Sequence, residues 1–205
     1  MYEKFWKRFF DFSLSLLALI ILSPVLLVLT VLGWIKMKGN PFFTQQRPGK
    51  DEKIFKLIKF RSMTCEKDKD GNLLPDEQRL TKYGKLLRST SLDELPELIN
   101  ILKGDMSIIG PRPQLVRDMV FMTPEQRVRH SIRPGLTGLA QVNGRNAISW
   151  EEKFNYDVEY VDSVGFLRDW KIIFQTVLTV LRRDGINSAT SVTMEEFMGT
   201  EEKHD

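Results

Sequence analysis

The sequence predicts one folded domain that combines helices with short extended segments and is attached to a membrane by its N-terminal end. Three observations predict this. The chain has 205 residues, which suits one domain with a core and is too short for two. Apolar residues crowd into the first 35 positions. Beyond them, patterns typical of helices and strands are separated by turns rich in glycine and proline.

Composition and charge limit the chemistry that the chain can carry. The net charge is +3 and the isoelectric point is near 8.9, which argues only weakly for an anionic partner. Cys65 is the single cysteine, so no intrachain disulfide forms. The two histidines, His130 and His204, are too few for a histidine- or cysteine-based zinc site. A metal here would be a hard cation held by carboxylates and phosphate, most simply Mg²⁺.

The uncharged run of residues 12–35 is long enough to cross a bilayer core of about 30 Å as a helix. Three interpretations compete: a cleaved signal peptide, a spanning helix and a re-entrant hairpin. No small-residue cleavage site follows the run, which disfavours a signal peptide. Ser23 and Pro24 lie near its middle, where a proline removes a backbone hydrogen bond and predicts a kink.

Basic residues flank this run on both sides, and the positive-inside rule places both flanks on the cytoplasmic face. They are Lys4, Lys7 and Arg8 before the run and Lys36 and Lys38 after it. A straight span cannot satisfy both flanks, whereas a hairpin that enters and leaves on one face can. The residues therefore favour the re-entrant form, and the spanning helix stays an alternative.

Residues 53–63 lead from the membrane toward the centre of the chain. They alternate loosely between basic and apolar side chains, which predicts a short strand or an amphipathic interfacial segment. Lys59 and Arg61 in this segment either form a solvated face or meet lipid head groups or a phosphorylated substrate. Residues 80–87 then predict a short helix that leads to Arg88.

The adjacent carboxylates Asp93 and Glu94 are the candidate catalytic residues. Ser91 and Glu94 match a capping box, and under that interpretation the acids only cap the following helix. Pro96 conflicts with it, because a proline belongs at the first helical position and this one lies deeper. A local conflict of this kind is typical of functional sites. The helix is predicted to end at Gly104.

Adjacent residues of a helix point about 100° apart, so Asp93 and Glu94 cannot share one direction. We therefore expect the two carboxylates to have different tasks. One would contact the substrate, and the other would support the first or hold a metal.

Arginines in turns provide further candidate phosphate ligands. Arg112 lies between two prolines, so its backbone has little entropy to lose on binding, and its planar fork suits phosphate oxygens. An exposed turn residue without function is the alternative for Arg112. Arg133 and Arg145 lie near glycines, which let the backbone approach a ligand closely. Neither a GxxxxGK[ST] loop nor a GxGxxG fingerprint occurs, so ATP-driven and dinucleotide chemistries lose support.

The C-terminal part is predicted to be largely helical. Residues 114–129 and 150–162 have helical patterns. Residues 166–183 form a strongly amphipathic helix that either packs in the core or lies on the membrane surface. The chain then becomes polar, and residues 195–205 predict a loosely ordered tail.

Four motifs follow the apolar run, and their order resembles that in the bacterial sugar transferases of the small monotopic phosphoglycosyl transferase class. They are KFRSM at 59–63, DELP at 93–96, GPRP at 110–113 and RPGLTG at 133–138. The resemblance covers nearly the whole chain. Within the class, the chain looks most like members that prime glycoprotein glycan assembly with a diacetylated bacillosamine phosphate.

The resemblance implies an α/β-mixed, mostly helical fold. Residues 1–38 would form a re-entrant membrane hairpin, residues 39–190 a catalytic domain with amphipathic interfacial helices, and residues 191–205 a polar tail. The protein would be monotopic in the bacterial inner membrane, with its catalytic domain on the cytoplasmic face.

The resemblance also implies the reaction: a phosphosugar moves from a UDP-sugar to undecaprenyl phosphate, and UMP leaves. Asp93 matches the nucleophile, which forms a covalent aspartyl-phosphosugar intermediate. Glu94 matches its companion in metal binding or proton handling. Mg²⁺ is the implied cofactor, with Asp93 and Glu94 as its ligands. The candidate phosphate ligands are Lys59, Arg61, Arg88, Arg112, Arg133 and Arg145, and Gln141 is expected near the nucleotide sugar.

The expected partners follow from the same resemblance. They are UDP-N,N'-diacetylbacillosamine as donor, undecaprenyl phosphate as acceptor, membrane lipid and downstream glycosyltransferases; no nucleic-acid partner is expected. The competing hypothesis is a non-catalytic, membrane-anchored interaction protein. In that case Asp93 and Glu94 are only a helix cap, and the arginines bind anionic lipid.

Overall fold

The computed structural model describes residues 2–144 and 147–182, together with Phe197 and Gly199. Arg145 and most of the predicted tail 191–205 lie outside the described residues. The chain is mostly helical, as predicted, with four short strands in the described part. In chain order the elements are α1 (Lys7–Met37), β1 (Phe42–Pro48), β2 (Ile54–Phe60), α2 (Asp76–Arg79), α3 (Lys82–Ser89), α4 (Glu97–Lys103), β3 (Ser107–Ile109), α5 (Pro124–Arg127), β4 (Gly135–Thr137), α6 (Leu139–Val142), α7 (Trp150–Asp162) and α8 (Phe166–Arg182).

Helix α1 buries several polar residues against the rest of the protein and exposes many of its apolar residues. Lys7, Asp11 and Ser15 are buried, whereas Leu17 and Ile20 are more than half exposed. Together with the preceding π-helical turn, α1 is the one helix in the described part long and apolar enough to cross a membrane. Apolar side chains on the outside need an apolar environment, so the arrangement is typical of a helix embedded in lipid.

Both ends of α1 are fixed to the same domain. Near its start, Asp11 Oδ1 accepts hydrogen bonds from Ser107 Oγ at 3.0 Å and from the Ile108 amide at 2.9 Å. Farther along the helix the Tyr83 hydroxyl donates to the Leu29 carbonyl at 2.8 Å, and Met37 at the last position is buried. The intervening residues of α1 pack against β2 and α4. The helix therefore lies along the domain.

Ser23 and Pro24 lie within α1, and the helix is continuous across them. Because Pro24 has no N–H, the carbonyl of Ile20, four residues earlier, loses its usual donor. The Ser23 hydroxyl donates to that carbonyl at 2.8 Å. This replacement matters most inside a bilayer, where no water can satisfy the carbonyl. A change of direction at Pro24 stays a prediction.

Two small sheets position the segments that matter for function. Strands β1 and β2 are antiparallel, and β2 confirms the strand interpretation for residues 54–60 of the segment 53–63. Strands β3 and β4 are parallel, with Ser107 opposite Gly135. A Cβ atom at Gly135 would lie 2.1 Å from the Gly110 amide nitrogen, so only glycine allows this approach.

Asn100 connects strand β2 to helix α4. Its Oδ1 accepts from the Ile58 amide at 3.1 Å, and its Nδ2 donates to the Lys56 carbonyl at 2.8 Å. The side chain thus pairs with the strand as a neighbouring strand would, and it is 1% exposed. This contact holds β2 and α4 side by side.

The position of helix α8 combines the two alternatives predicted for it, packing in the core and lying on the membrane surface. Ile172 is buried in the core with Ile109 and Tyr160. Phe166 and Trp170, two other apolar residues of this helix, are instead 43% and 46% exposed. The helix therefore packs on the domain through one face, to which Ile173 also contributes, and it exposes other apolar side chains, as expected at a membrane surface.

The capping-box prediction for Ser91 and Glu94 is wrong. Ser91 has the left-handed φ of 56°, which is not the extended conformation of an N-cap. Residues Leu92–Glu94 form a 3₁₀ turn, and α4 begins only at Glu97. The reason is Pro96, whose ring favours a helix that starts directly after it. The predicted end at Gly104 is confirmed, and its φ is 93°.

The single helix predicted over residues 114–129 is only partly right. The structure has a 3₁₀ segment Val116–Phe121, the short helix α5 and a second 3₁₀ segment Val128–Ser131. Pro124 causes the interruption, because the residue before a proline is pushed toward extended conformations. Thr123 there has ψ of 162° and caps α5 instead.

Candidate active site

Four segments bring their charged side chains together at the start of α4. Strand β2 contributes Lys59, the 3₁₀ turn Asp93 and Glu94, helix α4 Glu97, and the turn after β3 Arg112. We call these five residues the site cluster. Their sequence positions span more than fifty residues, and contacts between the segments place them in one group.

Glu94 is the centre of the site cluster. Its Oε1 atom accepts from Lys59 Nζ at 2.9 Å and from Arg112 Nη2 at 2.5 Å. Burial alone would raise the pKa of Glu94, but the charges of Arg112 and Lys59 outweigh burial and lower it. In turn, the Glu94 carboxylate raises the pKa of Arg112. Glu94 is therefore an ionised carboxylate held by two cations.

Asp93 differs from its neighbour, because its carboxylate makes no hydrogen bond or ion pair within the described residues. The residue is only half-buried. Burial, followed by the charge of Glu94, raises the pKa of Asp93. The charges of Lys59, Arg112 and Arg88 act in the opposite direction without cancelling the rise. A further cation bound beside Asp93 would lower its pKa and favour the carboxylate form.

Glu97 is a third carboxylate that the sequence reasoning missed. Its Oε1 atom lies 3.1 Å from Lys59 Nζ, at an angle that gives no hydrogen bond, and the residue is 2% exposed. Burial raises the pKa of Glu97 to about 7, even though Lys59 lowers it. In the sequence, the four-residue spacing between Asp93 and Glu97 could have indicated that the two carboxylates lie on one side of a helix. The capping-box interpretation instead started that helix at the wrong residue.

Arg88 and Arg61 lie around the site cluster. Arg88 Nε donates to Ser62 Oγ at 3.0 Å, and its charge acts on Asp93. Arg61 Nη2 donates to the Phe42 carbonyl at 3.3 Å, just beyond the end of β2. Both arginines are partly exposed, so phosphate binding by them stays a prediction.

Arg133 lies at the other end of α4 from the carboxylates. Its Nε donates to the Gly104 carbonyl at 2.8 Å. Arg8 is beside it and donates to the carbonyls of Ile101 and Leu102 at 2.5 and 2.7 Å. Two arginines thus cap the C-terminal end of α4, where cations are favourable. The length of α4, about 10 Å, separates Arg133 from the site cluster.

Two predicted residues remain, Gln141 and Arg145. Gln141 is on α6, and both its amide nitrogen and its amide oxygen are buried without a hydrogen-bond partner among the described residues. Its role near a nucleotide sugar stays a prediction. Arg145 lies outside the described residues.

The donors available for Mg²⁺ are the carboxylates of Asp93 and Glu94. Among the described residues, no group of three or more histidine, cysteine, aspartate or glutamate side chains is arranged to hold a metal ion. Mg²⁺ commonly binds through one or two carboxylates together with waters and substrate phosphates, so a third protein ligand is not required. The unengaged Asp93 carboxylate and the neighbouring Glu94 fit that kind of site.

The fold and the site define a class of protein: a domain with a long, apolar and largely exposed N-terminal helix and a cluster of carboxylates and cations. The chain belongs to the bacterial sugar transferase family, which it matches over residues 2–183. This confirms the family-level resemblance of the four motifs.

Relatives in several bacteria agree with the family. The chain is 50% identical over 194 residues to the uncharacterized sugar transferase EpsL of Bacillus subtilis (strain 168), covering 95% of this chain and 96% of that protein. It is 41% identical over 182 residues to the UDP-glucose:undecaprenyl-phosphate glucose-1-phosphate transferase of Klebsiella pneumoniae. It is 37% identical over 204 residues to the undecaprenyl-phosphate galactose phosphotransferase of Salmonella typhimurium.

The last two relatives are much longer than this chain. The matches cover 84% and 89% of this chain but only 39% and 42% of those proteins. Family membership and the relatives' names support a sugar-phosphate transferase, and they favour this over a non-catalytic interaction protein.

Proposed function

We propose that this protein transfers a phosphosugar from a UDP-sugar to undecaprenyl phosphate and releases UMP. One observation carries the proposal. Within a sugar transferase chain, Asp93 presents an unengaged carboxylate directly beside Glu94, which Lys59 and Arg112 hold in place. A carboxylate attacks an anionic diphosphate only when nearby cations neutralise charge, and this cluster supplies them.

The proposed reaction has two displacement steps at one phosphorus atom. An Asp93 carboxylate oxygen attacks the sugar-bearing phosphorus, and the bond from that phosphorus to the bridging oxygen breaks. UMP leaves with the electron pair, and an aspartyl-phosphosugar remains. A phosphate oxygen of undecaprenyl phosphate then attacks the same phosphorus, which restores the carboxylate and yields a polyprenyl diphosphosugar.

The residues of the site cluster have separate tasks in this proposal. Arg112 is 44% exposed at its side chain, so its guanidinium is free to meet the donor's diphosphate. The Lys59 side chain is less exposed than that of Arg112. It binds Glu94 and neutralises part of the negative charge of the site. Bound by Asp93 and Glu94, Mg²⁺ would neutralise the diphosphate charge.

The donor that we propose is UDP-N,N'-diacetylbacillosamine, on the basis of the motif resemblance. The names of two relatives contain glucose and galactose instead, so UDP-glucose and UDP-galactose are the competing donors. In either case the product would be the first membrane-bound intermediate of a glycan, and downstream glycosyltransferases would extend it.

We further propose that α1 re-enters the cytoplasmic leaflet of the inner membrane, so that the protein is monotopic. Asp11 and Leu29, which lie 18 residues apart on α1, both hydrogen-bond to one domain, and this supports the proposal. A helix that crossed a core of about 30 Å would carry one end away from that domain.

UMP release tests the proposed reaction. We would supply each UDP-sugar with undecaprenyl phosphate and Mg²⁺ to the wild type, Asp93→Asn and the exposed control Asp70→Asn. Release with one donor, absent in Asp93→Asn and unchanged in Asp70→Asn, is expected. Full turnover by Asp93→Asn would contradict the nucleophile assignment. Labelled phosphosugar should remain attached to the wild type when the acceptor is omitted.

Cysteine labelling tests the topology. A single cysteine would be placed at position 2 or position 38 in a Cys65→Ser background, in intact and opened cells. We expect both positions to react only after the cells are opened. Reaction of one position in intact cells would refute the re-entrant arrangement.

A further inference from the structure

The position of Arg112 depends on a second arginine that lies in the core. Arg129 is 1% exposed, and its Nη2 atom donates to the Arg112 carbonyl oxygen at 2.6 Å. The same Nη2 atom donates to Oδ2 of Asp157, also at 2.6 Å, and Asp157 is 2% exposed. A chain of contacts therefore runs from Asp157 on α7 through Arg129 to the backbone of Arg112.

The turn that carries Arg112 is held on its next residue as well. Arg47 Nη1, from strand β1, donates to the Pro113 carbonyl at 3.2 Å. Pro111 and Pro113 restrict the backbone on both sides of Arg112. With the carbonyls of two successive residues fixed, the direction in which the Arg112 side chain leaves the backbone is fixed too.

The buried pair is poorly arranged if stability is its only purpose. Two charges in a core lose hydration free energy that their attraction offsets only with good geometry and full hydrogen bonding. Here Nε and Nη1 of Arg129 and Oδ1 of Asp157 are buried without a hydrogen-bond partner among the described residues. Burial raises the pKa of Asp157 to about 6, against the effect of Arg129.

The contact to Arg112 is what distinguishes this pair. An apolar pair of similar volume would fill the same space beside Phe154, whose ring centre is 5.3 Å from the Arg129 guanidinium carbon. Apolar side chains could not donate to the Arg112 carbonyl. The charge of Asp157 keeps the Arg129 guanidinium at this place in the core, and the guanidinium holds the turn.

We propose that Arg129 and Asp157 are positioning residues for phosphosugar transfer, which hold the Arg112 backbone so that its guanidinium meets the donor's diphosphate. Both are buried and would not touch the substrate. The inference rests on the proposed function, in which Arg112 binds that diphosphate.

Steady-state kinetics of UMP release with the preferred UDP-sugar test the inference. Asp157→Asn keeps the side-chain shape and removes the charge, and Arg129→Lys keeps the charge and removes the fork. We expect each variant to lose roughly 10- to 100-fold in kcat/KM per folded molecule, because small misplacements of a binding group have effects of this size. Thermal unfolding measures the folded fraction. A purely structural pair would lower Tm and leave kcat/KM per folded molecule unchanged, which would overturn the inference.

A double-mutant cycle with Arg112→Ala separates positioning through Arg112 from any other effect. If Asp157 acts through Arg112, Asp157→Asn should change kcat/KM by less than about twofold once Arg112 is alanine. Losses that multiply in the double variant would overturn the inference. Glu159→Gln is the matched control, because Glu159 is on the same helix and pairs with Arg168 at the surface; it should retain wild-type kinetics in both backgrounds.

Failure of the inference and failure of the proposed function give different results. If the wild type releases UMP and Arg112→Ala is impaired, while Asp157→Asn keeps wild-type kcat/KM, only the inference fails. If the wild type releases no UMP from any donor, the proposed function fails and the inference fails with it. Should Arg129→Lys not fold, Asp157→Asn decides the outcome alone.

Discussion

Two buried charge clusters of this protein are built in different ways. In the first, which we call the anchor cluster, Asp169 accepts from Lys7 Nζ at 2.7 Å and from the hydroxyls of Tyr2 and Tyr160 at 2.8 and 2.6 Å. One carboxylate there has three donors. In the site cluster, by contrast, Glu97 Oε1 has no hydrogen-bond partner among the described residues.

The difference separates a structural from a functional use of buried charge. A buried carboxylate with several hydrogen bonds stabilises the packing of the elements that carry its donors. Asp169 on α8 therefore holds the start of α1 against that helix. Carboxylate oxygens that lack hydrogen bonds keep unused capacity for a ligand, even where an ion pair is present, as at Glu97 with Lys59. The site cluster holds this capacity at Asp93 and Glu97, and a cation or a phosphorylated substrate would use it.

Breaking the anchor cluster should have the largest effect on stability. Asp169→Ala leaves Lys7 buried without its counter-charge, and both side chains are less than a tenth exposed. Removing one member of a buried pair typically lowers the free energy of unfolding by about 3–5 kcal/mol. Denaturant unfolding in detergent measures it. A decrease in the free energy of unfolding of less than about 1 kcal/mol would contradict the role of Asp169. Glu159→Ala, at the surface, is the control and should lower the free energy of unfolding by less than about 0.5 kcal/mol.

Breaking the site cluster should affect turnover more than stability. Lys59→Met removes one of the two cations on Glu94 and keeps the length of the side chain. We expect UMP release per folded molecule to fall roughly 100-fold, comparable to the loss of one preorganised charge-stabilising group. Lys56→Met, at an exposed position of the same strand, is the control. An equal loss in both variants would show that the strand, and not the Lys59 charge, is responsible.

The smallest expected effect is a change in the pH dependence of stability at Glu97. The folded pKa of about 7 lies above the ordinary value of 4.5, so Glu97 contributes stability below pH 4.5 that is lost as the pH rises through 7. Glu97→Gln should remove this dependence. Relative to the variant, the wild type should lose on the order of 1 kcal/mol between pH 5 and 8.

Thermal unfolding of wild type and Glu97→Gln at a series of pH values checks that prediction. Lys59, Glu94, Arg112 and Arg47 are the charged groups that act on Glu97 among the described residues, so their protonation must stay constant across the series. Parallel profiles for the two proteins would show that Glu97 does not titrate in this range.

Local sequence patterns predicted those helices and strands whose conformation depends mainly on their own and neighbouring residues. Helix α7 has the predicted bounds 150–162, because its period is regular and Ser149 caps it through Glu152. The start of α4 was wrong because two local rules conflicted: Ser91 and Glu94 matched a cap, and Pro96 excluded it. The proline prevailed, since its ring restricts the backbone directly and a cap contributes only about 1 kcal/mol.

The candidate site also divides into residues that local sequence patterns predicted and residues that they placed wrongly. Asp93, Glu94, Lys59 and Arg112 were recognisable because each stands in a short sequence motif. Arg133 was grouped with them for the same reason, yet it lies at the opposite end of α4. Sequence spacing does not say which end of a helix a distant loop will reach.

The sequence by itself determined the apolar anchor, the adjacent carboxylates and the rigid arginine turn, because these depend on neighbouring residues and on backbone restrictions. Only the tertiary structure decided that Glu97 joins the site, that Glu94 and not Asp93 receives the cations, and that Arg129 supports Arg112. Those contacts join residues 17 to 38 positions apart. They form only when β2, α4 and the turn after β3 pack together, since the energy of a buried charge depends on everything around it.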